Sequence, residues 1–156
     1  MPSNAGASPG ADARAGARVR FLALHVDVFA SRVTERGRSK LVEPAPELEV
    51  RVEEALAVLV SVERVDEDRP EQVVQAAASE IAAHAARLGV RAIVLHPFAH
   101  LFGELSRPEV AVTVLTNLAA ALAAGGHAVT RTPFGWFNTL EVRAKGHPLS
   151  RVARIV

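Results

Sequence analysis

Three apolar runs, each far too short for a helix that crosses a membrane, most constrain the folds open to this chain. They are VRFLALHV (Val19 to Val26), ALAVLVSV (Ala55 to Val62) and RAIVLH (Arg91 to His96). A nearly continuous apolar segment of this length fits a strand covered on both faces. Between the second and third runs, and again after the third, the apolar residues recur at helical spacing. Strands alternating with helices predict a sheet with parallel neighbours and helices packed against it.

The first helical pattern has Val74, Ala77, Ala78, Ile81, Ala85 and Leu88 on one side, with Gln72, Gln75, Ser79 and Arg87 turned away. Asp68 is its expected N-cap, Pro70 suits its first turn, and Gly89 ends it. The second has Val110, Ala111, Val114, Leu115, Leu118 and Leu122 as its stripe, Ser106 and Glu109 at capping-box spacing, and Gly125-Gly126 as its stop. ELEVRVEE alternates at Leu48, Val50 and Val52 and predicts a hairpin partner for the first run, although Pro44 and Pro46 push it to an edge. HAVTR and WFNTLEVR supply two last strands, separated by the turn Thr132 to Gly135. The predicted order is β-β-β-α-β-α-β-β: an α/β fold with a mixed sheet and two covering helices, without internal repeats.

A length of 156 residues allows one domain with a real core. Residues 1–17, rich in Ala, Gly, Ser and Pro, read as a disordered tail, with the folded unit over 18–156. The absence of cysteine excludes disulfides, thiolate nucleophiles and sulfur ligands. No apolar run approaches the ~20 residues of a membrane helix, and the N-terminal stretch lacks the apolar centre of a secretory signal. The default expectation is a soluble cytoplasmic protein. A net charge of +1 argues against wrapping a long duplex, yet permits gripping a single nucleic-acid end through few phosphate contacts.

Polar residues gather where the apolar runs stop: His25 and Asp27, Ser61 and Glu63, His96 and His100. Ligand sites in α/β sheets collect at such strand ends. A metal reading would use His25, Asp27, His96 and His100, but Pro97 directly after His96 disfavours the helical i, i+4 geometry that a histidine pair requires. The plainer reading makes His25 and His96 structural. His84 and His127, expected on a polar helix face and in a loop, receive no role. Ser61 and Ser106 lack a G-x-S-x-G elbow, and no phosphate-cradling glycine motif occurs.

LHPFAHLFGELSRPEVAV (Leu95 to Val112), TPFGWFNTLEVRAKGHPLSR (Thr132 to Arg151) and VSVERVDEDRPEQV (Val60 to Val73) occur in an order and spacing that resemble the N-terminal editing domain of archaeal threonyl-tRNA synthetases. The resemblance runs from about Val19 to the C-terminus. It implies a D-aminoacyl-tRNA deacylase-like fold, a homodimer, and hydrolysis of the ester joining serine to threonine-specific tRNA in proofreading. It implies no metal and no other cofactor. The expected partners are the misacylated tRNA 3′ end and a threonyl-tRNA synthetase. The pocket it implies is built largely of main chain, with the 2′-hydroxyl of the terminal ribose helping to activate water.

By that resemblance His100 and Asn138 occupy catalytic positions. Ser61, Val62, Glu63, Pro97, Phe98, Ala99, Phe134, Gly135, Trp136 and Phe137 line the substrate, with N–H groups near Phe98, Ala99 and His100 holding the ester carbonyl. Glu63 could equally be solvated, and Pro97, Phe98, Phe134 and Trp136 could equally be core. Two positions depart from the family pattern: Asn138 replaces a lysine thought to position water, and Arg151 stands where an acid is expected. Phe137 also replaces a tyrosine. These departures leave open a deacylase for another misacylated tRNA, D-aminoacyl-tRNA included, or a non-catalytic tRNA- or synthetase-binding module. A synthetase would continue past Val156, so the chain is either an excised domain or a free-standing protein acting in trans, and its Ala-rich start favours the latter.

Overall fold

A computed structural model describes residues 19–101 and 103–156. The tail expected over 1–17 lies outside the described residues. Among the described residues, six strands and two helices follow one another as β1 (Arg20–Arg36), β2 (Glu49–Ser61), α1 (Pro70–Leu88), β3 (Ala92–Pro97), α2 (Pro108–Ala124), β4 (Ala128–Arg131), β5 (Trp136–Ala144) and β6 (Arg151–Ile155), with a short 3₁₀ helix at Arg64–Asp68 before α1. They form one mixed sheet in the order β4-β3-β2-β1-β5, with β6 beside β1. The expected α/β class with two covering helices is what the chain adopts.

β2, β3 and β4 run parallel, which obliges each step between them to cross over through a helix. Both helices lie on one face. There Leu56, Val58 and Val60 of β2, Ile93 and Leu95 of β3 and Phe21 of β1 pack against Val73, Ala77 and Ile81 of α1 and Val114, Leu115 and Leu118 of α2. The opposite face carries a smaller buried cluster of Val26, Phe29, Ala55, Ala57 and Val94. None of the described helices is long and apolar enough to cross a membrane.

The strand plan differs from expectation in three ways. ELEVRVEE and ALAVLVSV are not two strands but one, because the alternating half continues the apolar half without a turn (Glu54 sits at φ 47 within the strand). β1 extends ten residues past Val26 to Arg36, since its polar half finds a ladder on each side: β2 on one, β5 on the other. A further strand, β6, pairs with the first half of β1.

The caps differ too. Arg69, not Asp68, is the N-cap of α1, and Arg107, not Ser106, is that of α2. The Ser106 hydroxyl bonds the Arg107 carbonyl instead. A capping pair does form one step earlier, where the Glu63 N–H donates to the Asp66 carboxylate at 2.7 Å. Gly89 ends α1 in the left-handed region as expected (φ 67).

Candidate active site

The C-terminal ends of the parallel strands β2 and β3 open into a cavity of about 520 Å³, closed by α2, the Pro97–His100 turn, the start of β5 and the segment after β1. Parallel strands present their C-terminal ends on the same edge of a sheet, which is why Ser61 and His96, distant in sequence, meet here. Of the residues singled out in the sequence, Ser61, Val62, Pro97, Phe98, Ala99, His100, Phe134, Gly135, Trp136, Phe137 and Asn138 all line this cavity.

Glu63 does not. Its side chain is buried, ion-paired with Arg20 and pressed against Gly103, where a Cβ would collide with its carboxyl group. Glu63, expected to line the substrate or to be solvated, does neither: it forms a buried ion pair. Arg151 also lies outside the cavity, opposite Leu24 at the start of β6.

The Pro97–His100 turn continues the sheet before departing from it. The Phe98 N–H donates to the Val60 carbonyl at 2.9 Å, and the Ser61 hydroxyl donates to the Phe98 carbonyl. Phe98 is therefore removed from the expected carbonyl-binding set. The N–H groups of Ala99 and His100 have no partner among the described residues, and both residues are exposed at the cavity. The His100 ring meets the Phe98 ring edge-on, centroids 5.4 Å apart. Across the cavity the Asn138 amide donates to the Ser31 hydroxyl at 3.1 Å and to the Thr139 carbonyl at 3.2 Å, which fixes it beside Phe137.

His96 is buried in the wall, its Nδ1 2.7 Å from the Thr132 hydroxyl and its ring edge-on to Phe29. Burial lowers its pKa to about 4, so it is neutral at physiological pH. His25 and Asp27, the other half of the metal reading, belong to the opposite part of the sheet. His25 Nδ1 faces His147 Nε2 at 2.8 Å, and Asp27 is ion-paired with Lys145 and Arg143. Among the described residues no group of three or more ligating side chains could hold a metal ion. His84 is buried within α1 instead of facing solvent, and its Nε2 has no partner among the described residues.

A wall that sequence reasoning missed is the strap from Gly37 to Glu43, which crosses from β1 to the turn before β5. The Gly37 N–H donates to the Gly135 carbonyl at 2.7 Å, and the Glu43 N–H to the Phe134 carbonyl at 3.0 Å. The Glu43 carboxylate takes both terminal nitrogens of Arg131 and also the Phe134 N–H at 2.9 Å, while the Trp136 indole donates to the Glu43 carbonyl at 2.7 Å. Burial opposes ionisation of Glu43, but the Arg131 and Phe134 hydrogen bonds outweigh it and hold the carboxyl below its ordinary range. No periodic pattern marks this irregular segment.

Residues 19–156 match a family described as the archaea-specific editing domain of threonyl-tRNA synthetase. The chain belongs to this family. It is similar to the threonine–tRNA ligase of Methanoregula boonei, 38% identical over 138 residues, covering 88% of the chain and 22% of that protein. The corresponding ligase of Methanothrix thermoacetophila is 41% identical over 138 residues, covering 88% of the chain and 20% of the ligase. That of Methanosarcina acetivorans is 47% identical over 106 residues, covering 68% and 16% respectively. The chain thus spans only about a fifth of the length of these ligases. The editing-domain match covers the whole cavity, including the strap that sequence reasoning did not single out.

Proposed function

We propose that this editing domain, running over 18–156, is an aminoacyl-tRNA deacylase that hydrolyses seryl-tRNA(Thr) as a proofreading step in translation, in the soluble phase of the cytoplasm. The observation that carries the reading is the pairing, across one cavity, of the unengaged N–H groups of Ala99 and His100 with the Asn138 amide. An acyl ester placed between them would have its carbonyl oxygen held by main-chain donors as negative charge develops. Water adds to that carbonyl carbon, the bond to the ribose 3′-oxygen breaks, and the proton lost by water ends on that oxygen. Serine and free tRNA leave. The neighbouring ribose 2′-hydroxyl and Asn138 orient the water, and His100 contacts the substrate. This scheme uses no cofactor.

Serine and threonine differ by one methyl group, worth only about 1–3 kcal/mol to a binding pocket, so a synthetase needs a second sieve. A volume of about 520 Å³ accommodates an aminoacyl group together with its nucleoside. Discrimination against threonine must therefore act where the acyl side chain sits, and not through the size of the cavity as a whole. The homodimer that the family resemblance implies belongs to the same proposal.

Incubating the purified chain with radiolabelled seryl-, threonyl- and D-aminoacyl-tRNA tests the proposal. Selective loss of the serine ester is the expected result, and equal, background-level loss of all three would overturn it. Asn138, uncharged where the family pattern has lysine, favours as a second reading a deacylase for another misacylated tRNA. Loss of a different ester in the same panel would identify it. Tight binding of a non-hydrolysable seryl-adenosine analogue without turnover would instead mark a binding module.

A further inference from the structure

We propose that the end of β1 and the strap after it form a phosphate-binding rim that holds the single-stranded 3′ end of the RNA through Arg36, Arg38 and Lys40. The proposal rests on the editing reading for the identity of that RNA, but its geometry is independent of the chemistry in the cavity.

Arg38 lines the cavity mouth, with Arg36 two residues before it and Lys40 two after. All three are exposed, and none has a carboxylate or other hydrogen-bond partner among the described residues. The contrast with nearby cations is informative: Arg32 is paired with Glu49, and Arg131 with Glu43. In a chain of net charge +1, three cations on five consecutive residues, the middle one lining the cavity, form a local positive patch beside it; the exposed Glu35 next to Arg36 offsets one charge and leaves the segment 35–40 at +2. The one carboxylate within the strap, Glu43, is turned under it and neutralised by Arg131, so it does not cancel the patch.

The strap is also fixed. Gly37 approaches the Gly135 carbonyl so closely that a Cβ would lie 2.7 Å from that oxygen, and Glu43 pins the far end to Phe134 and Trp136. The cations therefore project from an anchored segment, which lowers the entropy lost on binding. Four residues of chain span at most about 14 Å, comparable with the axial rise of about four nucleotides at ~3.4 Å each. A short single strand whose terminal nucleoside enters the cavity would bring its last phosphates within reach of this rim.

The test uses the full chain and a 5′-fluorescent, single-stranded RNA oligonucleotide ending in ACCA, with binding read by anisotropy from 50 to 400 mM salt. For single strands each lost phosphate contact lowers the log–log salt slope by about 0.7, so the variant R36A/R38A/K40A should lose a slope of about 2 and bind about a hundredfold more weakly at 0.1 M salt. Arg87→Ala, an exposed arginine on α1 away from the cavity, should bind as the unmodified chain does. Unchanged affinity and slope in the triple variant would overturn the rim, as would an equal loss in Arg87→Ala. Deacylation of seryl-tRNA(Thr) is measured alongside. A triple variant with weakened RNA binding, in a chain whose unmodified form hydrolyses no ester, would uphold the rim and sink the editing reading. Hydrolysis with an unaltered KM in the triple variant would do the reverse.

Discussion

The Glu43 carboxylate is clamped by Arg131 from β4 while it accepts the Phe134 N–H from the opposite side of the turn, so one side chain joins the strap, the edge strand and the cavity wall. Both partners are largely buried, with side chains 18% and 19% exposed. Removing one member leaves the other charge without its partner. Glu43→Ala should lower unfolding free energy by about 3 kcal/mol, and adding Arg131→Met should restore part of that loss. Urea denaturation of the single and double variants measures both, and equal stability of Glu43→Ala and the unmodified chain would show that the clamp carries no energy.

Gly135 adopts φ 92, and a Cβ there would lie 2.9 Å from the Leu41 carbonyl and 3.1 Å from the Val42 Cα. The obstructing atoms are backbone and cannot swing away. Gly135→Ala should therefore cost about 3 kcal/mol and lower Tm by roughly 10 °C, with a matching loss of ligand binding as the strap is pushed off Phe134. Thermal unfolding followed by circular dichroism reads this directly.

Burial of His96 makes stability depend on pH in a definite direction. Its folded pKa of about 4 lies below the unfolded value near 6.5. The unfolded chain binds the extra proton, so this contribution is complete above pH 6.5 and is lost as pH falls from there towards 4. At pH 5 the loss is about 2 kcal/mol. His25 and His84, also lowered chiefly by burial, act with the same sign. His96→Gln should flatten the stability profile between pH 6.5 and 4.5; an unaltered profile would show that His96 does not titrate in this way.

Asn138 offers an uncharged amide to the cavity. If water and a developing oxyanion occupy that space, Asn138→Lys should raise kcat for ester hydrolysis by about tenfold, because a cation stabilises the negative charge formed in the transition state. Asn138→Asp should lower it by a similar factor. Single-turnover rates on seryl-tRNA(Thr) decide, and two variants indistinguishable from the original would remove Asn138 from the chemistry.

The buried parts of the fold were legible in the sequence because burial leaves a local signature. ALAVLVSV and RAIVLH can satisfy their apolar surface only as covered strands, and the stripes of α1 and α2 fix which helical face turns inward. What could not be read was everything decided by distant partners. The polar half of β1 is a strand because β5, more than a hundred residues later, supplies its ladder: Ser31 pairs with Leu140 and Val33 with Asn138. RVARI has five residues and little pattern, and becomes β6 only by lying against Arg20 to Leu24. The caps failed for a related reason. Asp68 and Ser106 have the right chemistry for N-caps, but the chain enters each helix one residue later, and Glu63 with Asp66 takes the capping geometry for the 3₁₀ helix instead.

The cavity shows the same division. Pro97 to His100 and Phe134 to Asn138 stood out as blocks and share one enclosure. Glu63, two residues past Ser61, lies beyond the end of β2, where its carboxylate is held by Arg20 outside the cavity. The strap carries no periodicity, so neither its bracing by Glu43 nor the exposure of Arg38 could be foreseen.

β1 leaves the ribosome before the other described strands and is the last of them to be completed. Its outer edge stays an open row of amides and carbonyls until β5 and then β6 have been synthesised, and its seam closes only when Val19 and Val156 exchange both of their hydrogen bonds, each 3.0 Å long. During translation that edge is exposed to pairing with other nascent strands. The polar composition of FASRVTER, which looks wasteful for a central strand, keeps the waiting edge soluble until its own partners arrive.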